Sequence, residues 1–91
     1  MSDIKKSITQ EDIDQLLAEA EIGVATVHDK CTMVSAKLKN GFIITESSAC
    51  VDPAKYDVET GFNICMDHIA NKLWELEGYA LQKKLYEEGL A

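Results

Sequence analysis

Two pairs of histidine and cysteine residues could together supply the four ligands of a zinc site. Two residues separate His28 from Cys31, and two separate Cys65 from His68. A helix would place Cys65 and His68 on one face, and zinc takes cysteine sulfur and histidine nitrogen in tetrahedral sets. Nothing makes the two pairs converge, because the first falls on a turn and a strand. We therefore predict no metal and no cofactor, with Cys65 in the core and both histidines in solvent.

Other polar groups could support catalysis, but each has a simpler structural explanation. Cys50 precedes Asp52 at a helix start, which would lower the pKa of a thiol, yet no partner base is identifiable. Glu46–Ser48 could bind a ligand at a strand end, although turn and capping roles explain it equally well. Glu75 and Glu77 fit a solvated helix face. The sequence has no phosphate loop, dinucleotide fingerprint, metalloprotease helix or nucleophile elbow. We predict that the protein is not an enzyme.

A β-hairpin is the element that would position these groups. Asn40-Gly41 predicts a two-residue type I′ turn, since both central residues of that turn need positive φ. Such a turn sets Leu38 opposite Ile43 and places both on the core face. Phe42 and Ile44 then fall on the other, largely polar face. Apolar side chains there indicate that something covers part of that face.

A first helix is predicted from Gln10 to Ile22. Thr9 is a good N-cap, and Asp12 occupies the acidic position of a capping box. Apolar residues recur at helical spacing behind it, and Gly23 fits the C′ position that ends a helix. Residues 1–8 are predicted to form a loose N-terminus.

A second, longer helix is predicted after a short helical turn at Asp52-Pro53, with Asp57 as its N-cap. Its apolar stripe has helical spacing and comprises Val58, Phe62, Cys65, Ile69, Leu73 and Leu76. Continued to Glu88, this helix would be about 48 Å long at 1.5 Å per residue. A domain of this size cannot cover that length. The helix is therefore expected either to break near Gly78 or to project.

These elements predict a single α+β domain spanning residues 1–91. Its order is an N-terminal helix, an antiparallel β-hairpin and a long C-terminal helix packed on the sheet. The sheet has two strands, or three if Val24–Val27 joins it. A chain of 91 residues can bury one modest core.

The charge balance restricts the classes of partner. The chain carries 16 acidic and 9 basic residues, all of the latter lysine, for a net charge of −7. This composition argues against a basic nucleic-acid-binding surface. Three cysteines without a Cys-x-x-Cys pattern fit free thiols in a reducing compartment. We expect no membrane span and no signal peptide.

Three blocks of sequence carry a family resemblance: Leu38–Phe42, Glu46–Pro53 and Asn71–Tyr79. In this order and spacing the chain resembles a family of small phage and prophage proteins named after gene products of N-four and Sf-six type phages. The resemblance covers about Thr32 to Leu85. It implies a phage-encoded protein in the cytoplasm of the infected host. It carries no catalytic residues over to this chain.

The resemblance and the lack of catalytic motifs together predict a non-enzymatic phage accessory protein that acts by binding, as an inhibitor of a host or defence protein. One alternative is a small-molecule sponge that sequesters a signalling nucleotide at a subunit interface. Another is an acidic DNA mimic. Clustered acidic residues on one face would favour the mimic. A pocket with lysines or backbone donors would favour the sponge, against which the lack of arginine counts.

The chain is expected to form a homo-oligomer, with a dimer favoured, held partly by Trp74–Leu85. Apolar residues of this segment lie beyond the part of the helix that a hairpin can cover. In the competing arrangement, a break at Gly78 folds the last helix onto the first. The candidate interaction residues are Phe42, Ile44, Trp74, Tyr79, Leu81 and Leu85.

Overall fold

A computed structural model of the chain describes residues 5–90, and these form the α+β fold that the sequence predicts. The elements in chain order are α1 (Gln10–Ala18), β1 (Glu21–Val27), β2 (Cys31–Lys37), β3 (Ile43–Ala49), a 3₁₀ turn (Pro53–Lys55) and α2 (Val58–Glu87). The three strands form one antiparallel sheet in the order β1-β2-β3. Helix α2 packs on β2 and β3.

Helix α1 begins as predicted and ends earlier. The Thr9 hydroxyl accepts the Asp12 N–H, and the Asp12 carboxylate accepts the Thr9 N–H, which completes the capping box. The helix stops at Ala18, so its predicted extension to Ile22 was wrong. Gly23 does not cap a helix but lies inside β1, opposite Ser35. Pairing with β2, a contact remote in sequence, decides the conformation of this segment.

The β2–β3 turn differs from the predicted type I′ turn. The Gly41 N–H donates to the Leu38 carbonyl, and the Leu38 N–H donates to the Phe42 carbonyl. Gly41 has φ +94°, whereas Asn40 has no positive φ. This is a three-residue loop in which a glycine in the left-handed region follows a tight turn. The extra loop residue shifts the register by one.

The shifted register exchanges the two faces of β3 relative to the prediction. Ala36 now lies opposite Ile44, and Lys37 lies opposite Ile43. Because side chains alternate along a strand, a slip of one residue moves each to the other face. Ile44 is therefore buried in the core, and Ile43 points outward. The predicted core position of Ile43 and surface position of Ile44 were both wrong.

The positive-φ pair expected at Asn40-Gly41 occurs instead in the β1–β2 turn. His28 and Asp29 have φ values of +56° and +59°. Aspartate is among the few non-glycine residues that tolerate this region, and histidine is also enriched there. The turn at His28–Lys30 that the sequence indicates is thus present, and β1 extends to Glu21, well before Val24.

The core lies between α2 and the two strands that it covers, and α1 adds one buried side chain to it. Its buried members are Ile13, Val34, Ala36, Leu38, Ile44, Cys65, Ile69 and Leu73. Gly61 allows the closest approach, since a Cβ at this position would lie 2.1 Å from the Thr32 hydroxyl oxygen. Near this contact, the Tyr56 hydroxyl forms hydrogen bonds of 2.9 Å to Thr26 Oγ1 in β1 and 2.7 Å to Thr32 Oγ1 in β2.

Helix α2 continues unbroken through Gly78 for 30 residues and projects beyond the sheet. Helix α1 lies beside this projecting part, and the groove between them is lined by Leu16 and Leu81 among others. The described chain is therefore elongated, with extents of 58 × 21 × 18 Å. At the C-terminal end, the Gly89 N–H donates to the Tyr86 carbonyl, and the Leu90 N–H donates to the Leu85 carbonyl. These two bonds form a Schellman cap.

Candidate interaction surface

Four large apolar side chains are exposed where the β2–β3 turn meets the projecting half of α2. Phe42 is 51% exposed and Ile43 is 56% exposed. Leu76 is 41% exposed, and Tyr79, one helical turn further on, is 70% exposed. Phe42, Ile43 and Leu76 line an open groove of about 360 Å³. We call these four residues the tip patch.

Local backbone geometry holds the tip patch in place. Asn40 Oδ1 accepts the Phe42 N–H at 2.9 Å, which fixes the direction in which the chain leaves the turn. The left-handed conformation of Gly41 closes the loop. On α2, Leu76 and Tyr79 are three residues apart and therefore share a face. The turn, the start of β3 and helix α2 thus together present the apolar side chains of the tip patch.

Charged residues lie beside the tip patch. Lys72 and Glu75 line the same groove. Lys72 Nζ lies 2.5 Å from Glu46 Oε2, and His68 Nδ1 lies 3.5 Å from Glu46 Oε1. The hydrogen bond from Lys72 is the main cause that holds the pKa of the Glu46 carboxyl below its usual value. Glu46 therefore ties α2 to β3 next to the patch, and it stays charged at neutral pH.

The histidine and cysteine pairs do not form a common site. Cys31 and Cys65 both donate to the Thr32 carbonyl oxygen, at 3.9 and 3.7 Å. Burial is the main cause that raises the pKa of the Cys65 thiol, so this thiol stays protonated. His28 lies in the β1–β2 turn, and His68 faces Glu46. Among residues 5–90 no cluster of three metal-ligating side chains is present. The absence of zinc stays a prediction for elemental analysis of the purified protein.

A small pocket of about 150 Å³ lies at the start of α2, near Cys50 and Lys55. The Cys50 thiol donates to the Asp52 carbonyl oxygen at 3.3 Å. Asp57 accepts the Glu59 N–H at 3.3 Å and the Thr60 hydroxyl at 2.7 Å. A carboxylate therefore already occupies the N-terminus of α2, where a phosphate would otherwise bind. Hydrogen bonds from Thr60 and the Glu59 backbone lower the pKa of Asp57.

The predicted interaction residues fall into two groups in the structure. Phe42 and Tyr79 are exposed, in agreement with a surface role. Ile44 is 4% exposed and belongs to the core, because the register differs from the predicted one. Leu85 is also buried, next to the C-terminal cap of α2. Neither Ile44 nor Leu85 can be part of a surface without rearrangement.

The remaining two predicted residues are half-buried. Trp74 packs against the core cluster, and Leu81 lines the groove beside α1. Sequence reasoning missed Ile43 as a surface residue, whereas Leu76 lies within the predicted interface segment Trp74–Leu85 and is exposed. Ile43 would have been found with the correct turn length. Leu76 continues the apolar stripe of α2, and its exposure follows from its position beyond the edge of the sheet.

A comparison with protein-family models gives a match over residues 4–85 to the phage protein (N4 Gp49/phage Sf6 gene 66) family. The chain belongs to this family. The match begins before α1 and ends near the end of α2, so the N-terminal helix lies within the family region. Sequence resemblance alone had reached back only to Thr32. No curated protein and no solved structure gave a significant match.

None of the helices within residues 5–90 combines the length and the apolar character that crossing a bilayer needs. Helix α2 is long enough, with 30 residues, but charged residues recur along its whole length.

Proposed function

We propose that the protein is a non-enzymatic phage accessory factor that acts in the host cytoplasm by binding a host or defence protein. The tip patch is the observation that carries this proposal. It presents two aromatic and two aliphatic side chains from the β2–β3 turn, the first residue of β3 and helix α2, all between 41% and 70% exposed. Aromatic side chains held on rigid elements are typical anchors of protein interfaces.

The surroundings of the tip patch indicate the chemistry of the partner. Lys72 and Glu75 lie at the groove and provide a polar rim. Because the chain carries a net charge of −7, long-range attraction favours a partner with a basic surface around an apolar recess. The phage family sets the context in which such a partner is met, namely the infected bacterium.

The two alternative functions have weaker support. A nucleotide sponge needs phosphate donors, yet Asp57 takes up the hydrogen-bond donors at the start of α2. A DNA mimic needs an extended acidic surface. Acidic residues do dominate the segment from Glu11 to Glu21, which contains no lysine. Two of them are paired, however, since Asp12 contacts Lys5, and Glu19 lies 3.6 Å from Lys39.

Affinity capture from a bacterial lysate tests the proposal. The baits are the wild-type chain, the double variant Phe42→Ser/Tyr79→Ser, and the control Tyr86→Ser. Tyr86 is 75% exposed on the same helix and lies outside the tip patch. Bound proteins and heat-released small molecules are both identified by mass spectrometry. We expect one protein to be captured stoichiometrically by the wild type and by the control, and to be lost with the double variant.

Other outcomes contradict the proposal. Equal capture by the double variant would remove the tip patch from the interface. A nucleotide released from the wild type without a stoichiometric protein would favour the sponge. Capture that the tip variants leave unchanged, but that Glu11→Gln/Asp14→Asn abolishes, would favour the acidic mimic.

A further inference from the structure

The two edge strands of the sheet are protected to different extents. Each has seven residues. Strand β3 turns the charged side chain of Glu46 toward α2, where it pairs with Lys72. Strand β1 has Glu21 as its single charge, contains no proline or lysine, and has no buried residue. A long apolar edge without such protection pairs readily with another strand.

The register shows which backbone groups of β1 are free to pair. The Leu38 N–H and the Lys30 carbonyl, just beyond the two ends of β2, bond to residues that flank β3. Backbone groups of successive residues point to opposite sides in an antiparallel sheet. The odd-numbered residues of β2 therefore bond to β1, where their partners are also odd-numbered. The N–H and C=O groups at the free edge are those of Ile22, Val24 and Thr26.

We propose that β1 pairs antiparallel with β1 of a second copy, about a two-fold axis at Val24. This register joins the three free residues in hydrogen-bonded pairs. Val24 of one protomer lies opposite Val24 of the other, and Ile22 lies opposite Thr26. The result is a continuous six-stranded sheet. Such an interface is isologous and closed, as is usual for dimers.

The chemistry of β1 suits a second copy of this chain. Glu21, its only charged residue, lies opposite Val27 in this register, so no like charges face each other within the paired strands. Ile22 and Val24, which are 37% and 48% exposed, lie opposite the buried residues Ala36 and Val34 and therefore face the helix side of the sheet. In the dimer their side chains and those of Thr26 form one largely apolar strip between the two α2 helices.

This interface is independent of the proposed function. Strand β1 is the edge opposite β3, so pairing leaves the tip patches of both copies free. A single strand pair lies at the small end of the range of specific interfaces. The dimer is therefore expected to dissociate on dilution.

The first test uses the two-fold position itself. In this dimer the Val24 side chains of the two copies lie opposite each other, with their Cβ atoms about 5 Å apart. Val24→Lys and Val24→Glu are each expected to be monomeric, because like charges would face each other. An equimolar mixture of the two is expected to form a heterodimer, since opposite charges then meet. Sedimentation equilibrium over a wide concentration range measures the masses, and circular dichroism checks folding.

A matched control lies on the other edge strand. Ser47 is exposed on β3, so Ser47→Lys is expected to dimerise like the wild type.

Amide hydrogen exchange tests the same interface without any mutation. The Ile22, Val24 and Thr26 amides should become protected as concentration rises, and the Ser47 amide should not.

Three results would overturn the proposal. The first is a wild-type mass of one chain at the highest concentration reached. The second is dimerisation of each Val24 variant alone with the strength of the wild type. The third is a dimer that Tyr79→Glu dissociates while the Val24 variants leave it intact, which would assign the contact to the projecting half of α2.

Discussion

The two halves of α2 have similar apolar content and different environments. In the first half, Val58–Leu73, every fourth residue from Gly61 onward faces the sheet and is buried. In the second half, Trp74–Glu87, Leu76 and Tyr79 continue the helical spacing but remain exposed. Seven residues of strand extend about 24 Å, the length of about sixteen residues of helix. An apolar stripe therefore marks a core only as far as the opposing layer reaches.

Truncation of a leucine in each half should give the largest contrast. Leu73 is 1% exposed and Leu76 is 41% exposed. Leu73→Ala is expected to lower the free energy of unfolding by about 3 kcal/mol, because it leaves a cavity in the core. Leu76→Ala should cost less than about 1 kcal/mol, since it creates no cavity. Urea unfolding followed by circular dichroism measures both. Equal losses would mean that Leu76 is covered as completely as Leu73.

Replacing glycine by alanine should change the free energy of unfolding in opposite directions in the two halves of α2. A Cβ at Gly61 would clash with Thr32, whereas a Cβ at Gly78 meets nothing within 4 Å. Gly61→Ala is expected to cost about 2 kcal/mol through overpacking. Gly78→Ala should add up to about 1 kcal/mol, because alanine favours the helix. The same unfolding experiment applies. A stabilising Gly61→Ala would show that α2 does not approach β2 this closely.

The turn beside the boundary between the halves gives a smaller effect. Gly41→Val is expected to cost more than about 1 kcal/mol, since a β-branched residue resists positive φ. Gly41→Asn, the matched control, should cost less because asparagine tolerates this region. Thermal unfolding distinguishes them. If both variants have the melting temperature of the wild type, the left-handed conformation at Gly41 is incorrect.

The smallest effect is expected for the ion pair between Glu46 and Lys72, near the end of the first half of α2. The folded-state pKa of Glu46 is lowered by Lys72, so the pair stabilises the fold above the unfolded-state pKa of about 4.3. This stabilisation is lost as pH falls through the folded-state value. Glu46→Gln should therefore be less stable than the wild type at pH 7, and the gap should close in acid. A gap independent of pH would exclude the ion pair as its cause.

Features encoded by a few adjacent residues could be predicted from the sequence. Thr9, Asp52 and Asp57 all act as the caps expected, because a cap depends on its own neighbours. The end of α1 and the register of β3 could not be predicted. Gly23 fits a helix end equally well, and only its pairing with Ser35 places it in a strand.

The candidate surface shows the same division between local and distant causes. Phe42 was found although the turn type was wrong, because it lies between the turn and β3 and is exposed there. Ile44 was misplaced by one residue of loop length, and Ile43 was lost with it. The exposure of Leu76 depends on where β3 begins relative to α2. Distances between elements, which the sequence pattern does not contain, decide which apolar residues reach solvent.

The projecting helix also determines how the molecule moves through solvent. The Cα radius of gyration of the molecule is 16.6 Å, whereas a compact chain of this length has about 12 Å. A single chain of 10.1 kDa therefore diffuses like a heavier globular protein. It should leave a gel-filtration column early, at the volume of a larger standard. Hydrodynamic friction alone can thus imitate a dimer, and only a mass from scattering or sedimentation equilibrium counts the chains.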